Sequence, residues 1–406
     1  MIVKNEAQRL PACLDSVRHW VDELIVVDTG SEDQTVAIAQ HFGAQVFHFP
    51  WQNDFSAARN FSLSHAHGDW ILVLDADETF VAETFDRLRS HLSQPDLLVI
   101  NLLRQEIGAS QSPYSLVSRL FRRHPALCFS RPYHAMIDDS VLALCQQEPH
   151  WKIVDLPEIA LRHDGYGQAA VASRNKFDRA QFAMETFLAS HPDDTYDAAK
   201  LGALYVEQGE WAKGMALLER GICQLEGDGA GLPAAAAPMA QTRYELHYHL
   251  AIAHNRLGNA EAAAEHYQIA LEQAILPLLK LGAYNNLAGI LKDEGFYAAA
   301  QELYEQTLTI DPQFAIGYYN LGSIRRQLGD LAGAIAAYET ALQLAPEMPE
   351  IHQNLAVALL KAGLLERSQQ AFERAIALYE QQSPPPHSPA LQLRQQLSEL
   401  GLFEGI

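Results

Sequence analysis

The chain has 406 residues, 48% of them hydrophobic, so it can bury a substantial core divided among two or three domains. Its 29 Lys and Arg side chains are outnumbered by 50 Asp and Glu side chains, and the formal net charge is -21. This acidity argues against nucleic acid as a partner, because tracking phosphates needs a broad basic surface.

The cysteines and the apolar runs bear on the cellular compartment. Cys13, Cys128, Cys145 and Cys223 lie far apart with no C-x-x-C pair, which indicates neither a zinc site nor a disulfide framework. The N-terminus lacks an apolar signal region, and no apolar stretch approaches the roughly 18 residues that a membrane span needs. We therefore expect a soluble, cytoplasmic protein without a membrane span.

The first 165 residues alternate between strand and helix patterns. In chain order the runs are ELIVVDTGS (strand), DQTVAIAQHFG (helix), AQVFHF (strand), SAARNFSLSHAHG (helix) and DWILVLDADE (strand). Apolar strands separated by helices predict an α/β domain with a Rossmann-like, mostly parallel sheet covered on both faces. The opening MIV reads as the end of a first strand, so either the chain starts late or this strand is very short.

From about residue 190 to 380 the strand signals give way to a period of 34 residues. The positions that repeat are Gly295, Gly329 and Gly363; Leu287, Leu321 and Leu355; Tyr304, Tyr338 and Phe372; and Pro312 and Pro346. Each unit predicts a helix pair with a glycine at the turn and a proline after the second helix. Looser units precede these, with Gly209 and Gly258 at their turns. The region resembles tetratricopeptide (TPR) repeats, which form an all-α solenoid.

Composition also places the boundaries. We expect an α/β domain over residues 1–166, a connecting helix over 167–190, helical repeats over 191–380, and a Pro-rich break with a capping helix over 381–406. Within the repeats, EGDGAGLPAAAAPMAQ predicts a loop or hinge.

Three carboxylates, Asp75, Asp77 and Glu78, follow directly after the apolar run at residues 71–74. Ligands of open α/β sheets bind at the carboxyl ends of strands, and alternation lets Asp75 and Asp77 point the same way. Such a pair favours a hard divalent ion shared with a substrate diphosphate. The alternative is that Asp75 caps a following helix and Glu78 favours its first turn.

Four segments, MIVKNE, VVDTGSEDQT, NDFSAARN and GDWILVLDADE, resemble the nucleotide-sugar-binding half of family 2 glycosyltransferases in order and spacing. That family has the GT-A fold. The resemblance covers residues 1–166 and is closest to members that fuse this domain to TPR repeats. Some relatives of that subgroup glycosylate peptides or lipopolysaccharide sugars.

The resemblance implies a donor site. Asp75 and Asp77 match the family's D-x-D motif, which binds Mg or Mn together with the donor diphosphate. Asp28 matches the acidic residue that contacts the base or ribose, and Asn5 and Glu6 flank the same pocket. Asp28 also fits an Asx-turn residue, and Glu6 fits a solvated residue at a helix start.

Two further residues complete the implied donor side. Arg59 resembles a family arginine near the donor phosphates, although an ion pair with Asp54 is the alternative. His163, in LRHDGYG, resembles an H-x-G-Y element whose histidine completes the metal site, and its alternative is a structural role. The segment after it places Arg174, Lys176 and Arg179 at helical spacing, which fits docking of the repeats or phosphate contact.

The acceptor side departs from the family pattern. SRLFRR at residues 118–123 resembles a segment that leads to G-x-x-H-E, whose Glu is the expected general base. Here Ala135 follows His134, so the base is Asp138 or Asp139 from a shifted position, or His134 itself. Otherwise transfer is lost, or the acceptor is nucleophilic enough to need little base assistance.

The sequence thus predicts an inverting, metal-dependent glycosyltransferase that uses a nucleotide-diphospho sugar, UDP-linked. The repeats would bind the acceptor (a peptide, protein, lipid or glycan) or a protein partner. A first alternative is a degenerate transferase domain in an interaction scaffold. A second is a nucleotidyltransferase, but KNEAQRLP lacks the glycines of its phosphate loop.

Overall fold

The structure is a computed structural model of the protein. It describes residues 1–109, 111–164, 174–227, 237–382, 388–399 and 401. Two compact units divide the chain: Met1–Ala253 with Gln273–Leu279, and His254–Glu272 with Lys280–Ile406.

The α/β part of the first unit alternates strands and helices as the sequence predicts. Its elements are β1 (Ile2–Val3), α1 (Leu10–Val17), β2 (Ile25–Asp28), α2 (Thr35–His41), β3 (Gln45–His48), α3 (Phe55–Ser64), β4 (Trp70–Leu72), β5 (Glu78–Phe80), α4 (Phe85–Leu92), β6 (Leu97–Glu106), β7 (Tyr114–Arg122), α5 (Asp138–Gln147) and β8 (Lys152–His163). A single turn of 3-10 helix, Ala82–Thr84, precedes α4.

The strands form two sheets. The first is parallel with the order β1-β2-β3, and the second has the order β4-β7-β6-β8-β5. The α/β class is confirmed, but the second sheet is mixed rather than mostly parallel: only β6 and β8 run parallel in it. The cause is that β6 and β7 are joined by a connection too short for a crossover helix, so they form an antiparallel hairpin.

Apolar side chains cover both faces of this second sheet, as predicted. Leu97 packs in one buried cluster with Leu88 of α4, and its neighbour Leu98 packs in another with Val141 of α5. Successive residues of a strand face opposite sides, so the burial of both leucines shows that both faces of the sheet are covered.

The acidic segment leads into a strand, not a helix. β5 begins at Glu78 and pairs antiparallel with β8, whereas α4 begins only at Phe85. The alternative in which Asp75 caps the following helix is therefore wrong.

The described residues from 174 onward are mainly helical. Its helices are α6 (Arg174–Ser190), α7 (Thr195–Glu207), α8 (Trp211–Gly227), α9 (Ala237–Arg256), α10 (Ala260–Glu272), α11 (Leu281–Asp293), α12 (Tyr297–Ile310), α13 (Ala315–Gln327), α14 (Leu331–Leu344), α15 (Pro349–Lys361), α16 (Leu365–Gln382) and α17 (Pro389–Glu399). The five predicted turn glycines all have φ near +80°, which a residue with a side chain rarely adopts. The helix pairs and their turns are thus confirmed, and α17 is the predicted helix after the Pro-rich break.

Several predicted features lie outside the described residues. These are residues 228–236 of the expected hinge, residues 383–387 of the Pro-rich break, residues 165–173 ahead of α6, and the side chains of residues 174–176. Within the described ranges, every helix is too short or too polar to cross a membrane.

Candidate active site

Asp75 lies between two arginines. Its carboxylate accepts hydrogen bonds from Arg59 Nη2 at 2.9 and 3.2 Å and from Arg119 Nη2 at 2.7 Å. Burial alone would raise the pKa of Asp75, but Arg119 and Arg59 outweigh it and hold that pKa well below its usual value. Asp75 is therefore ionised at neutral pH, with both carboxylate oxygens engaged.

The buried Arg59 comes from α3. Its guanidinium lies 5.3 Å from the ring centre of Phe129, and burial together with Arg119 lowers its pKa to about 10. The Asp54 that we considered as its partner instead caps α3, where it accepts from the backbone N–H of Ala57 at 3.0 Å. Among the described residues, Nε and Nη1 of Arg59 and Nη1 of Arg119 have no hydrogen-bond partner. These arginines thus keep spare donors beside Asp75.

Asp77 lies in a separate group with His163. His163 Nε2 is 3.4 Å from Asp77 Oδ2, and its Nδ1 is 2.5 Å from Glu106 Oε2. Arg9 approaches the same Asp77 oxygen at 3.6 Å. Burial would lower the pKa of His163, but its hydrogen bonds with Asp77 and Glu106 raise it to about 9.

Strand register explains this arrangement. His163 on β8 is paired with Glu78 on β5 and with Glu106 on β6, so three charged residues stand side by side at one end of the sheet. Arg104 joins two of them: its Nη1 is 2.6 Å from Glu78 Oε1, and its Nη2 is 2.9 Å from Glu106 Oε1. Glu78, which is fully buried, is therefore neutralised by an arginine two strands away.

We did not predict Arg104, Glu106 or Arg119 as site residues. The sequence contained a signal for two of them. Arg104 and Glu106 are two positions apart at the end of the apolar strand LLVINLLRQE, so their side chains face the same side of the sheet. A buried strand that ends in alternating charges indicates a paired charge network.

A divalent ion would find two protein ligands here. Among the described residues, no group of three His, Cys, Asp or Glu side chains is arranged to hold a metal. Asp77 and His163 Nε2 nevertheless fit an ion that takes its other ligands from a diphosphate and water. In metal sites, the histidine nitrogen that does not bind the ion commonly donates to a carboxylate, which orients the ring; Glu106 contacts Nδ1 of His163 in this way. Asp75 fits less well, because both of its oxygens already accept from arginines.

Asp28 and Asn5 shape the loop after β2. The buried Asp28 carboxylate accepts from the backbone N–H of Ser31 at 3.0 Å and of Gly30 at 3.2 Å, which is the geometry of an Asx turn. Burial would raise the pKa of Asp28, but these hydrogen bonds lower it. Asn5, at φ +56°, accepts from the backbone N–H of Glu32 at 2.8 Å and so braces the same loop.

Glu6 belongs with the acidic group, not with bulk solvent. Its backbone carbonyl accepts from Arg9 and Leu10 at the start of α1, and its side chain is partly buried. Burial and the nearby negative charge of Asp77 raise the pKa of Glu6. This interaction brings Glu6 into the same electrostatic environment as the D-x-D segment.

A β-bulge links this site to Asp138. Two residues of β7, Ser118 and Arg119, stand opposite the single residue Asn101 of β6, so strand alternation is broken there. Arg119 reaches Asp75, and Ser118 Oγ lies 2.8 Å from Asp138 and 2.9 Å from Asn101. Burial raises the pKa of Asp138, and a carboxylate with a raised pKa suits proton transfer.

The other acceptor-side candidates have different surroundings. His134 is exposed at φ +50°, with its ring 4.7 Å from that of Tyr133. Asp139 contacts Ser130 and Arg131. Of these three candidate bases, Asp138 is the one whose side chain packs next to the sheet beside Ser118.

Comparisons with known proteins identify the family of each part of the chain. The family model described as Glycosyl transferase family 2 matches residues 1–154, and tetratricopeptide models match residues 281–310, 322–363 and 349–382. A TPR repeat-containing protein of Synechococcus elongatus is 46% identical over 312 residues, covering 77% of this chain and 75% of that protein. The chain belongs to the family 2 glycosyltransferases that carry TPR repeats.

Two further matches concern the separate halves of this glycosyltransferase. An uncharacterized glycosyltransferase of Rickettsia felis is 31% identical over 194 residues, which cover 46% of this chain and 68% of that protein. The solved structure of the TPR protein YrrB aligns over 53% of this chain and 100% of its own, at 15% identity and a TM-score of 0.38.

Proposed function

We propose that this glycosyltransferase moves a sugar from a UDP-linked donor to an acceptor hydroxyl with inversion at the anomeric carbon. Family 2 enzymes generally use nucleotide-sugar donors. The observation that carries the proposal is the division of the D-x-D segment: two arginines hold Asp75, while Asp77 faces His163. The Asp75 carboxylate is thus fixed in place, and the Asp77 carboxylate has the imidazole of His163 beside it at the end of the second sheet.

The donor would lie along the end of the first sheet. Asp28 and Asn5 form the loop that faces the nucleoside, where carboxylate and amide groups suit ribose hydroxyls and a uracil N–H. Glu6 is close enough to Asp77 for the charge of Asp77 to raise the pKa of Glu6. The arginine-held Asp75 suits a ribose or sugar hydroxyl, because an ionised carboxylate is a strong acceptor.

Asp77 and His163 are the residues that would hold Mg or Mn in the proposed complex. When bound, the ion stabilises the negative charge on the leaving diphosphate. His163 would have to lose its proton to serve as a ligand, so metal-dependent donor binding is expected to weaken as the pH falls below about 9, the pKa of His163. Glu106 keeps the ring oriented through Nδ1 in either state.

Asp138 is the general base that we favour. In the transfer step the acceptor oxygen forms a bond to the anomeric carbon while the bond from that carbon to the diphosphate oxygen breaks. The electron pair of the broken bond leaves with the nucleoside diphosphate, and Asp138 takes the proton of the acceptor hydroxyl. His134 remains the alternative base, and its exposed position makes it the weaker one.

The repeats would bind the acceptor or a protein partner, since stacked helix pairs commonly hold extended peptides or partner helices. The acceptor class, whether peptide, protein, lipid or glycan, is left to experiment. We place the reaction in the cytoplasm, because all four cysteines are free thiols.

Donor binding tests this proposal. Calorimetric titration of UDP-, GDP- and dTDP-sugars, with Mn and with chelator, is expected to find one UDP-sugar that binds in a metal-dependent way. Asp77→Ala and His163→Ala should each weaken that binding at least tenfold in Mn. Asp96→Asn is the matched control, because Asp96 pairs with Lys152 at the opposite end of β6 and β8.

Binding of a GDP- or dTDP-sugar instead would correct the nucleotide. If no donor bound with metal present, the proposal would fail, and an interaction scaffold would be the better account. Equal donor binding in Mn and in chelator would show that binding needs no metal, and the metal would be dropped from the proposal.

A further inference from the structure

The segment from Phe129 to Asp139, here called the acceptor loop, comprises the second half of the connection from β7 to α5 and the first two residues of α5, and it carries His134 and Asp138. One side of the loop is fixed to α3. Asn60 donates to the carbonyl of Phe129 at 2.9 Å and accepts from its N–H at 2.7 Å, and Phe55 N–H donates to the carbonyl of Pro132 at 2.9 Å. Because α3 also carries Arg59, this side joins the acceptor loop to the donor side of the site.

The other side of the acceptor loop is fixed to α7 through Arg131. The side chain of Arg131 is 6% exposed, and it meets three carboxylates. Its Nη2 is 2.6 Å from Asp194 and its Nε is 3.1 Å from Asp197, while Nη1 contacts Asp139 of the loop itself. Asp194 caps α7 and Asp197 lies in its first turn, so one guanidinium joins the loop to that helix.

Aromatic packing supports the same connection. The Arg131 guanidinium lies 5.1 Å from the ring centre of Tyr196 on α7. Tyr133, two residues later in the loop, packs against the buried cluster that α6 and α7 share, which includes Met184 and Leu201. The loop therefore has both charged and apolar contacts with these helices.

The backbone of the acceptor loop needs such support. Arg131 has φ +72° and His134 has φ +50°, a region that residues with a side chain rarely adopt. Backbone of this kind persists only where the surrounding contacts determine it. The contacts that could do so at Arg131 are those to α7, together with the pairing of Ser130 and Met136 across the loop.

We propose that Arg131 is a positioning residue for sugar transfer: it fixes the acceptor loop against α7, so that the first helix of the repeat region is part of the catalytic unit. The inference rests on the proposed function, because the loop carries Asp138. Arg131 itself need not touch either substrate. Its effect is to hold the base at the angle from which it takes the acceptor proton.

The test compares turnover with donor binding in the full-length chain. Release of nucleoside diphosphate from the bound UDP-sugar, with water as acceptor, gives kcat, and titration gives the donor Kd. Arg131→Gln is expected to lower kcat about 10- to 100-fold, the scale of a misplaced catalytic group. The donor Kd should stay within about twofold, because the residues of the donor site are unchanged.

Two milder variants distinguish a loss of positioning from a loss of folding. Asp194→Asn removes a charge from α7 but keeps a residue that caps helices well, and it should lower kcat by a smaller factor at unchanged Kd. Arg131→Lys keeps the charge but loses the fork that meets several carboxylates, so its kcat should lie between those of Arg131→Gln and the wild type.

Arg122→Gln is the matched control. Arg122 donates to the backbone carbonyls of Leu97 and Gln94 and lies over Trp70, so its loss also weakens the fold, but away from the acceptor loop. Its kcat should stay near the wild-type value at a temperature where both proteins are folded.

The outcomes separate the two proposals. An Arg131→Gln kcat within twofold of the wild type, or no greater loss than that of Arg122→Gln, overturns the inference and leaves the proposed function standing. A wild-type protein that turns over no donor overturns the proposed function and this inference with it.

Discussion

The two compact units differ in how deeply their ion-paired side chains are buried. In the first unit, arginines with buried side chains lie among carboxylates: Arg59 and Arg119 beside Asp75, and Arg131 beside three aspartates. In the second unit every ion pair among the described residues has at least one exposed side chain. Those pairs are Lys292–Asp293, Arg325–Glu305, Arg367–Glu339, Arg374–Glu347 and Arg394–Glu380.

The second unit relies on repeated apolar packing instead. The aromatic rings of Tyr304, Tyr338 and Phe372 are almost fully buried, each one repeat apart. Small residues of the preceding helix, Ala288 and Ala356 among them, lie in the same buried clusters. The arginine–carboxylate groups of the first unit thus contrast with the neutral packing at the repeated positions of the second. If this contrast is right, comparable substitutions in the two units have very different effects.

The largest effect is expected at Asp75. Asp75→Ala leaves Arg59 and Arg119 buried without their carboxylate, and removing one partner of a buried pair costs about 3–5 kcal/mol. Urea unfolding at pH 7, followed by the transition of the first unit, measures the loss. A loss below about 1 kcal/mol would show that solvent or other groups compensate these arginines, and the contrast between the units would fail.

A pH-dependent effect comes next, at Asp197. Burial and the neighbouring Asp194 raise the pKa of Asp197 to about 7 in the folded chain, from 3.8 when unfolded. The folded state then binds more protons than the unfolded state between these values, so stability falls as pH rises from about 4 to 7. Asp197→Asn removes this penalty.

The measurement is the free energy of unfolding of both proteins at pH 5 and pH 8. Relative to the wild type, Asp197→Asn should gain about 3 kcal/mol on going from pH 5 to pH 8. A difference between the two proteins that is the same at both pH values would mean that Asp197 is ionised throughout.

The repeats offer a sharper test of neutral packing at Gly322. Ala288 and Ala356 occupy the same repeat position, so the repeat pattern alone allows Gly322→Ala. In the structure a Cβ at Gly322 would lie 2.7 Å from the buried ring of Tyr338, and overpacking of this kind costs about 1–3 kcal/mol.

Gly289→Ala is the matched control for that substitution. A Cβ at Gly289 would lie 3.9 Å from Tyr304 Oη, which is an ordinary contact, and alanine in a helix interior is favoured over glycine by about 0.5–1 kcal/mol. Thermal unfolding should thus show one loss and one gain. Equal effects of the two substitutions would contradict the packing account.

The smallest effect is expected at the exposed ion pairs. Arg374 and Glu347 are 2.9 Å apart with side chains 45% and 67% exposed, and such pairs contribute about 0–1 kcal/mol. Arg374→Gln should therefore shift urea unfolding of the second unit by less than about 1 kcal/mol, and less still in high salt. A larger shift would show that an exposed ion pair of the second unit contributes as much to stability as a buried one, and the contrast between the units would fail.

Local patterns were enough to predict much of the fold. The strands around Asp28 and Phe47, the helix α3 and the glycine turns of the repeats all follow from residues close in sequence. The mixed pairing of the second sheet did not follow, because an apolar run shows that a strand is buried but not which strand lies beside it.

The site was predictable in part for the same reason. The acidic residues are visible because they end apolar strands, and the resemblance to a family assigned roles to Asp28, Asp75 and Asp77. The cations that neutralise them come from separate segments, and Arg119 reaches Asp75 beside a β-bulge that no local pattern marks. Two of the partners of Arg131, Asp194 and Asp197, lie more than 60 residues away, at the start of α7.

Proton NMR of donor turnover tests the central claim most directly. The full-length protein, Mn and the UDP-sugar that binds would be followed from the first minutes, with Asp138→Asn in parallel. Our account predicts a released sugar whose anomeric proton first appears with the configuration opposite to that of the donor, and little release by the variant. Retained configuration, or no release from any donor, would contradict it.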